Sequence, residues 1–149
     1  MNVSVRPSVL IMQENTLLLM RYCYSGKDLF QIPGGNMEAG ETPEDTIERE
    51  LYEEINIQVH THQLLYIAQT VRAEKNKTVI HLIFSGSVVS GIPELNPQHT
   101  SALEAIWMPL QQIKNIHLYP DVRYALFEER GRNKITATRY LGRIEQHWL

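Results

Sequence analysis

The sequence predicts an α/β fold, with a central mixed β-sheet packed between helices. Three observations point there. Runs of β-branched and aliphatic residues recur between turn-forming residues, at 3–12, 16–23, 57–72 and 78–89. A capped helix over 43–55 carries an apolar stripe, Ile47, Leu51 and Ile55, at i, i+4 and i+8. A second helix is expected over 121–130, with Val122, Ala125 and Leu126 on one face. One domain, 1–149, is the simplest partition, and 43% hydrophobic residues can fill its core.

The first two apolar runs are separated by Gln13-Glu14-Asn15, which predicts a hairpin. Ser25-Gly26-Lys27-Asp28 is a second turn, and 29–32 a short strand leading into Pro33-Gly34-Gly35. Thr42 can cap the acidic helix. Pro43 suits its first position, where a missing N–H is harmless, and Asp45 stands at the capping-box spacing. Asn56 tolerates the left-handed conformation that ends helices. The strands 57–72 and 78–89 are joined through Glu74-Lys75-Asn76-Lys77. A Pro- and Gly-containing loop follows over 91–101, then a strand over 102–108 and a short helix over 110–116. The tail, 130–149, contains Tyr140-Leu141-Gly142 and His147-Trp148-Leu149. It is too apolar for a free end, and is expected to pack on the domain or on a second subunit.

Charge is concentrated in one place. Glu38, Glu41, Glu44, Asp45, Glu48, Glu50, Glu53 and Glu54 are 8 of the 17 acidic residues, with Arg49 as the local counter-charge. Glu50, Glu53 and Glu54 fall within an arc of roughly 100° beside the apolar stripe. Such like-charge spacing destabilises a helix by roughly 0.2–0.5 kcal/mol per pair. A bound cation reverses that sign, and hard oxygen ligands suit Mg²⁺, with Mn²⁺ as substitute. An isolated Glu-x-x-Glu-Glu is usually a solvated face. Here a strand and a glycine loop precede it, and that combination is far rarer.

These residues resemble the signature of the Nudix hydrolase family: Gly, five residues, Glu, seven residues, Arg-Glu, an aliphatic residue, any residue, Glu-Glu, any residue, Gly, an aliphatic residue. Gly35, Glu41, Arg49, Glu50, Leu51, Glu53, Glu54 and Ile57 match. Asn56 stands where the family has Gly, and Asn is the next-best residue for a left-handed cap. Phe30-Gln31-Ile32-Pro33-Gly34-Gly35 and Glu104-Ala105-Ile106-Trp107-Met108-Pro109-Leu110 extend the resemblance. It implies an α/β/α sandwich and a metal-dependent pyrophosphohydrolase. The substrate implied is a nucleoside diphosphate linked to another group, with ADP-ribose or a nucleotide sugar as the first expectation. Nucleoside triphosphates or dinucleoside polyphosphates are the alternative. A non-catalytic nucleotide sensor is a reading of another class; such domains often lose motif carboxylates, and all are present here.

On this reading Glu50, Glu53 and Glu54 hold the metal, with the Gly35 carbonyl as a further ligand. Arg49 orients a carboxylate, Glu41 foremost, while Leu51 and Asn56 serve the helix. The base that takes a proton from water is open between Glu53, Glu54 and Glu104. Arg21, Arg72 and Lys77 are candidates to meet phosphate, and Phe30, Tyr22 and Tyr24 to stack on a base. His60 and His62 share a strand face without further ligands, which argues against zinc. Arg130, Arg132, Lys134, Arg139 and Arg143 read as solubility and helix-end charges.

A net charge of −3 gives no reason to expect nucleic-acid binding. Cys23 is the sole cysteine, so no intrachain disulfide is possible. No apolar run approaches the roughly 20 residues that span a bilayer. Without a signal-peptide pattern, a cytoplasmic setting is expected. The partner is expected to be a small molecule, and a homodimer would suit the apolar tail.

Overall fold

The computed structural model of the protein describes residues 2–130 and 137–147. Among these residues eight strands form one mixed sheet. Strands β1 (Asn2–Gln13) and β2 (Thr16–Tyr24) form the expected hairpin, and Glu14 and Asn15 at its turn both have positive φ. β3 (Lys27–Gln31) follows a second tight turn at Ser25 and Gly26. The long pair β4 (Gln58–Arg72) and β5 (Lys77–Ser90) is antiparallel and joined by a 3-10 turn, Ala73–Lys75. β6 (Glu104–Pro109) pairs with β2, and β7 (Leu118–Tyr119) with β3. β1 runs parallel to β5.

Both faces of the sheet are covered, which explains the nearly continuous apolar runs in β1 and β2. Helix α1 (Pro43–Ile55) packs Ile47, Leu51 and Ile55 on Val9, Ile11, Leu18, Met20 and Phe84. Helix α2 (Arg123–Arg130) covers the other face. Ala125, with Val122 just before the helix, packs there on Leu10, Leu19, Tyr66 and Ile83. The alternation along β1 and β2 assigns each residue to one core or the other, as period-2 geometry requires. Burying an aliphatic side chain such as Leu51 contributes about 1.5–3 kcal/mol. The expected α/β/α architecture is therefore present.

The short helix expected over 110–116 is present as a 3-10 helix, Leu110–Asn115. The structure adds two strands that the sequence does not announce. β7 has only two residues and no sequence pattern of its own. The tail forms a strand, β8 (Arg139–Arg143), parallel to β4. Of the basic cluster, Arg139 and Arg143 lie on β8, and Arg139 pairs with Glu128 at 3.3 Å. The Arg130 side chain, Arg132, Lys134, Trp148 and Leu149 lie outside the described residues. No helix among the described residues is long and apolar enough to cross a membrane.

Candidate active site

The site is assembled where β1 stops pairing with β2. Their ladder covers only Met12 with Leu17 and Gln13 with Thr16. Farther along β1, the glycine loop takes the vacant edge. Val9 N donates to Pro33 O at 2.9 Å, Gly35 N to Pro7 O at 3.1 Å, and Met37 N to Val5 O at 3.0 Å. This close approach explains Gly34, where a Cβ would lie 2.2 Å from Pro7 O. Gly35 lies under the acidic helix: a Cβ there would lie 2.3 Å from Glu50 Cδ.

The helix is set by its caps. Asp45 N donates to Thr42 Oγ1 at 3.1 Å, and Thr42 N to Asp45 Oδ2 at 3.0 Å. Asn56 closes it in the left-handed conformation, φ 56° and ψ 38°. The loop 91–101 is tied to the same end, with Asn96 N donating to Glu54 O at 2.9 Å and Glu94 N to Ile55 O at 3.0 Å.

Arg49 gathers the motif acids. Its Nε and Nη2 donate to the two Glu41 oxygens at 2.6 and 3.0 Å. Nη1 donates to Glu50 at 3.0 Å and to Glu53 at 3.4 Å. Glu41 also accepts from Glu38 N and Thr46 Oγ1, each at 2.9 Å. The Arg49 guanidinium and these donors hold the Glu41 carboxyl down at about 2. Glu41 is thus a structural anion that fixes Arg49.

Glu50 and Glu54 are pushed the other way. Burial raises both. Glu54 is further repelled by Glu50 and reaches about 7. Among the described residues, no three His, Cys, Asp or Glu side chains already stand together as a metal cage. The donor chemistry nevertheless suits a hard divalent cation: carboxylates of Glu50, Glu53 and Glu54 on one helix, Glu50 against Gly35, with burial disfavouring the charged forms of Glu50 and Glu54.

Two expected residues are not brought to this site. Glu104 opposes Arg21 across β2 and β6, and the two pair at 3.7 Å. Its neighbours Ala105 and Trp107 pack on the α1 side of the sheet, so alternation turns Glu104 to the opposite face. In this structure it is a partner of Arg21, whose guanidinium also meets Asp28 at 3.3 Å. Phe30 is 7% exposed in the core against α2, which leaves no ring surface for stacking.

Other candidates do converge. Tyr24, Arg72 and Lys77 line a cavity of about 470 Å³, with Ser25, Leu29, Gln31, Thr70, Lys75, Val79 and Tyr119. Tyr22 stacks parallel to Tyr24 at 6.2 Å. Between this cavity and the acidic helix lies Arg6, which sequence reasoning missed. It is 9% exposed, donates to Ile32 O at 2.8 Å, and lies over the Tyr119 ring at 5.5 Å. It also feels the charges of Glu50 and Glu54. An arginine inside a buried strand was the available signal, because charged residues are almost never buried without a reason.

Comparison with known proteins agrees with this fold. A model of the NUDIX domain matches residues 4–144. The oxidized purine nucleoside triphosphate hydrolase of Mus musculus is 34% identical over 122 residues, covering 78% of this chain and 72% of that protein. The NAD-capped RNA hydrolase NudC of Vibrio parahaemolyticus is 28% identical over 121 residues, 81% of this chain but only 44% of that longer protein. A NUDIX hydrolase structure from Nitrosomonas europaea superposes with a TM-score of 0.71 at 23% identity, covering 90% of this chain and 92% of that one. With the domain match spanning nearly its whole length, the chain belongs to the Nudix family of pyrophosphohydrolases.

Proposed function

We propose that the chain hydrolyses the pyrophosphate bond of a nucleoside diphosphate linked to another group, ADP-ribose or a nucleotide sugar first. The observation that carries this reading is the acidic triplet Glu50, Glu53 and Glu54 on α1, with Glu50 against Gly35 and Arg49 bonded to Glu50 and Glu53. Mg²⁺, or Mn²⁺ in its place, held by carboxylates of this triplet and the Gly35 carbonyl would neutralise phosphate charge and make a water more acidic. Glu54 would take the proton of the attacking water instead of holding the metal, which leaves Glu50, Glu53 and the Gly35 carbonyl as the ligands; burial and the Glu50 charge already make it the more basic carboxylate. Arg49, fully engaged by Glu41, Glu50 and Glu53, keeps the carboxylates in place without touching substrate. The neighbouring cavity, with Tyr24 and Tyr119 in its walls, receives the rest of the molecule.

The test is phosphate release, with coupled phosphatase, from ADP-ribose, nucleotide sugars, NADH, dinucleoside polyphosphates and nucleoside triphosphates. Turnover of a diphosphate-linked class that vanishes on chelation supports the reading. Preference for triphosphates would move the chain toward the activity its mouse relative is named for. Silence across the panel from folded protein would overturn the reading in favour of a sensor. A cytoplasmic homodimer belongs to the same proposal; Tyr140, 72% exposed on the edge strand β8, favours a second copy, and sedimentation reads it directly.

A further inference from the structure

The cavity at the end of the β4–β5 hairpin carries more positive charge than one shared diphosphate explains. Arg72 and Lys77 are directly opposed across the antiparallel pair, and both line the cavity. Lys75 joins them from the 3-10 turn. Like charges at opposed positions destabilise a ladder. Glu74 offers partial relief: it accepts from Arg72 Nε at 2.6 Å and attracts Lys75. Yet Glu74 is not part of the lining, and no carboxylate is. Three cations therefore line the cavity, with Arg72 bridged from outside the lining by Glu74.

The remaining lining is suited to a nucleoside or sugar. Leu29 and Val79 give apolar surface, Tyr24 and Tyr119 give rings, and Gln31 and Thr70 give hydrogen-bonding groups. A volume of about 470 Å³ suits a small molecule. The acidic helix does not contribute to this lining. The diphosphate is handled there, so the cations of the cavity answer a different anion.

We propose that the cavity takes the end of the substrate remote from the scissile bond, and that this end carries a phosphate monoester of its own, held between Arg72 and Lys77 with Lys75 beside it. The inference rests on the reading of the chain as a hydrolase of diphosphate-linked nucleosides. A phosphate placed between opposed cations gains charge-assisted hydrogen bonds and removes their mutual repulsion.

Calorimetric titration of the metal-free full chain tests this with three probes: AMP, adenosine 2′,5′-bisphosphate and adenosine 3′,5′-bisphosphate. One bisphosphate is expected to bind about tenfold tighter than AMP. Lys77→Gln and Arg72→Gln should each reduce that ratio toward one. Lys75→Gln, at the turn, provides the same readout if either of those variants fails to fold. Equal binding of all three probes, no binding by any, or a ratio that survives the substitutions would overturn the inference. The readout needs no turnover. Metal-dependent turnover of the nucleotide panel alongside equal probe binding sinks only the phosphate inference. Selective bisphosphate binding with no turnover, on the panel or on a diphosphate-linked nucleoside that carries the matching phosphate monoester, sinks only the hydrolase reading.

Discussion

At the scale of single residues, the two loop glycines have different reasons to exist, and substitution separates them. Alanine at Gly34 drives a methyl into the backbone of Pro7 and Ser8, which cannot yield without moving β1. Gly34→Ala is therefore expected to lower the melting temperature sharply. Alanine at Gly35 meets only the end of the Glu50 side chain. Gly35→Ala should fold, yet lose at least about tenfold in turnover, since misplacing a reacting group by an ångström has large effects. Equal losses of stability in the two variants would refute the distinction. Glu54 adds a pH signature. Its carboxyl is raised from 4.5 to about 7, so the folded state holds a proton the unfolded chain has released. Stability from this group is thus lost as pH rises from about 4.5 through 7. Metal-free Glu54→Gln should lack that decline, and with Mg²⁺ the variant should turn over at least about a hundredfold slower than the parent. Melting curves of the metal-free proteins at stepped pH check the first part and phosphate release with Mg²⁺ the second; parallel curves for parent and variant would remove the assigned strain.

At the scale of elements, α1 was legible because everything that makes it a helix is local. Thr42, Pro43 and Asp45 start it, the apolar stripe seats it, and Asn56 stops it, all within fifteen residues. The cap gives a clean prediction. Asn56 sits at φ 56°, where a Cβ is penalised and Asn is tolerated better than most residues. Asn56→Ala is expected to cost about 1 kcal/mol, and Asn56→Gly to be neutral or slightly stabilising, both read from urea midpoints. If alanine and glycine behave alike, the left-handed cap is not what ends this helix. β8 was illegible for the opposite reason. Its partner is β4, some seventy residues earlier, and a strand of five residues carries little pattern until that edge is known. Phe30 and Glu104 fall between these cases. A short strand does not say which face is core, so Phe30 read equally well as a stacking ring. For Glu104 the answer was present, because Trp107 is three residues on and must point the other way once its burial is granted.

At the scale of the whole molecule, the parts of the site that sequence reasoning missed are those where strands distant in sequence meet. Arg6 of β1 is the register partner of His81 of β5, which faces Tyr119 of β7 edge-on at 5.2 Å and bonds Thr70 of β4 at 2.9 Å through Nε2. No local pattern can announce a contact among four strands. His81 is fully buried, and its Nδ1 has no hydrogen-bond partner among the described residues. Burial, with the nearby Arg6 charge, pushes its pKa down to about 3, so the folded protein keeps the ring neutral. The unfolded chain protonates the same ring near 6.5. Because the folded-state value is the lower one, stability is fully present above about 6.5 and is lost as pH falls toward 3. One such proton contributes at most about 1.4 kcal/mol per pH unit in that window. His81→Gln can keep a bond to Thr70 but cannot titrate. Its urea midpoint is expected to fall less steeply than that of the parent between pH 6.5 and 4.5, the other five histidines acting alike in both proteins. Identical slopes would mean that His81 takes its proton in the folded state. The junction of β1, β4, β5 and β7 would then be open to water.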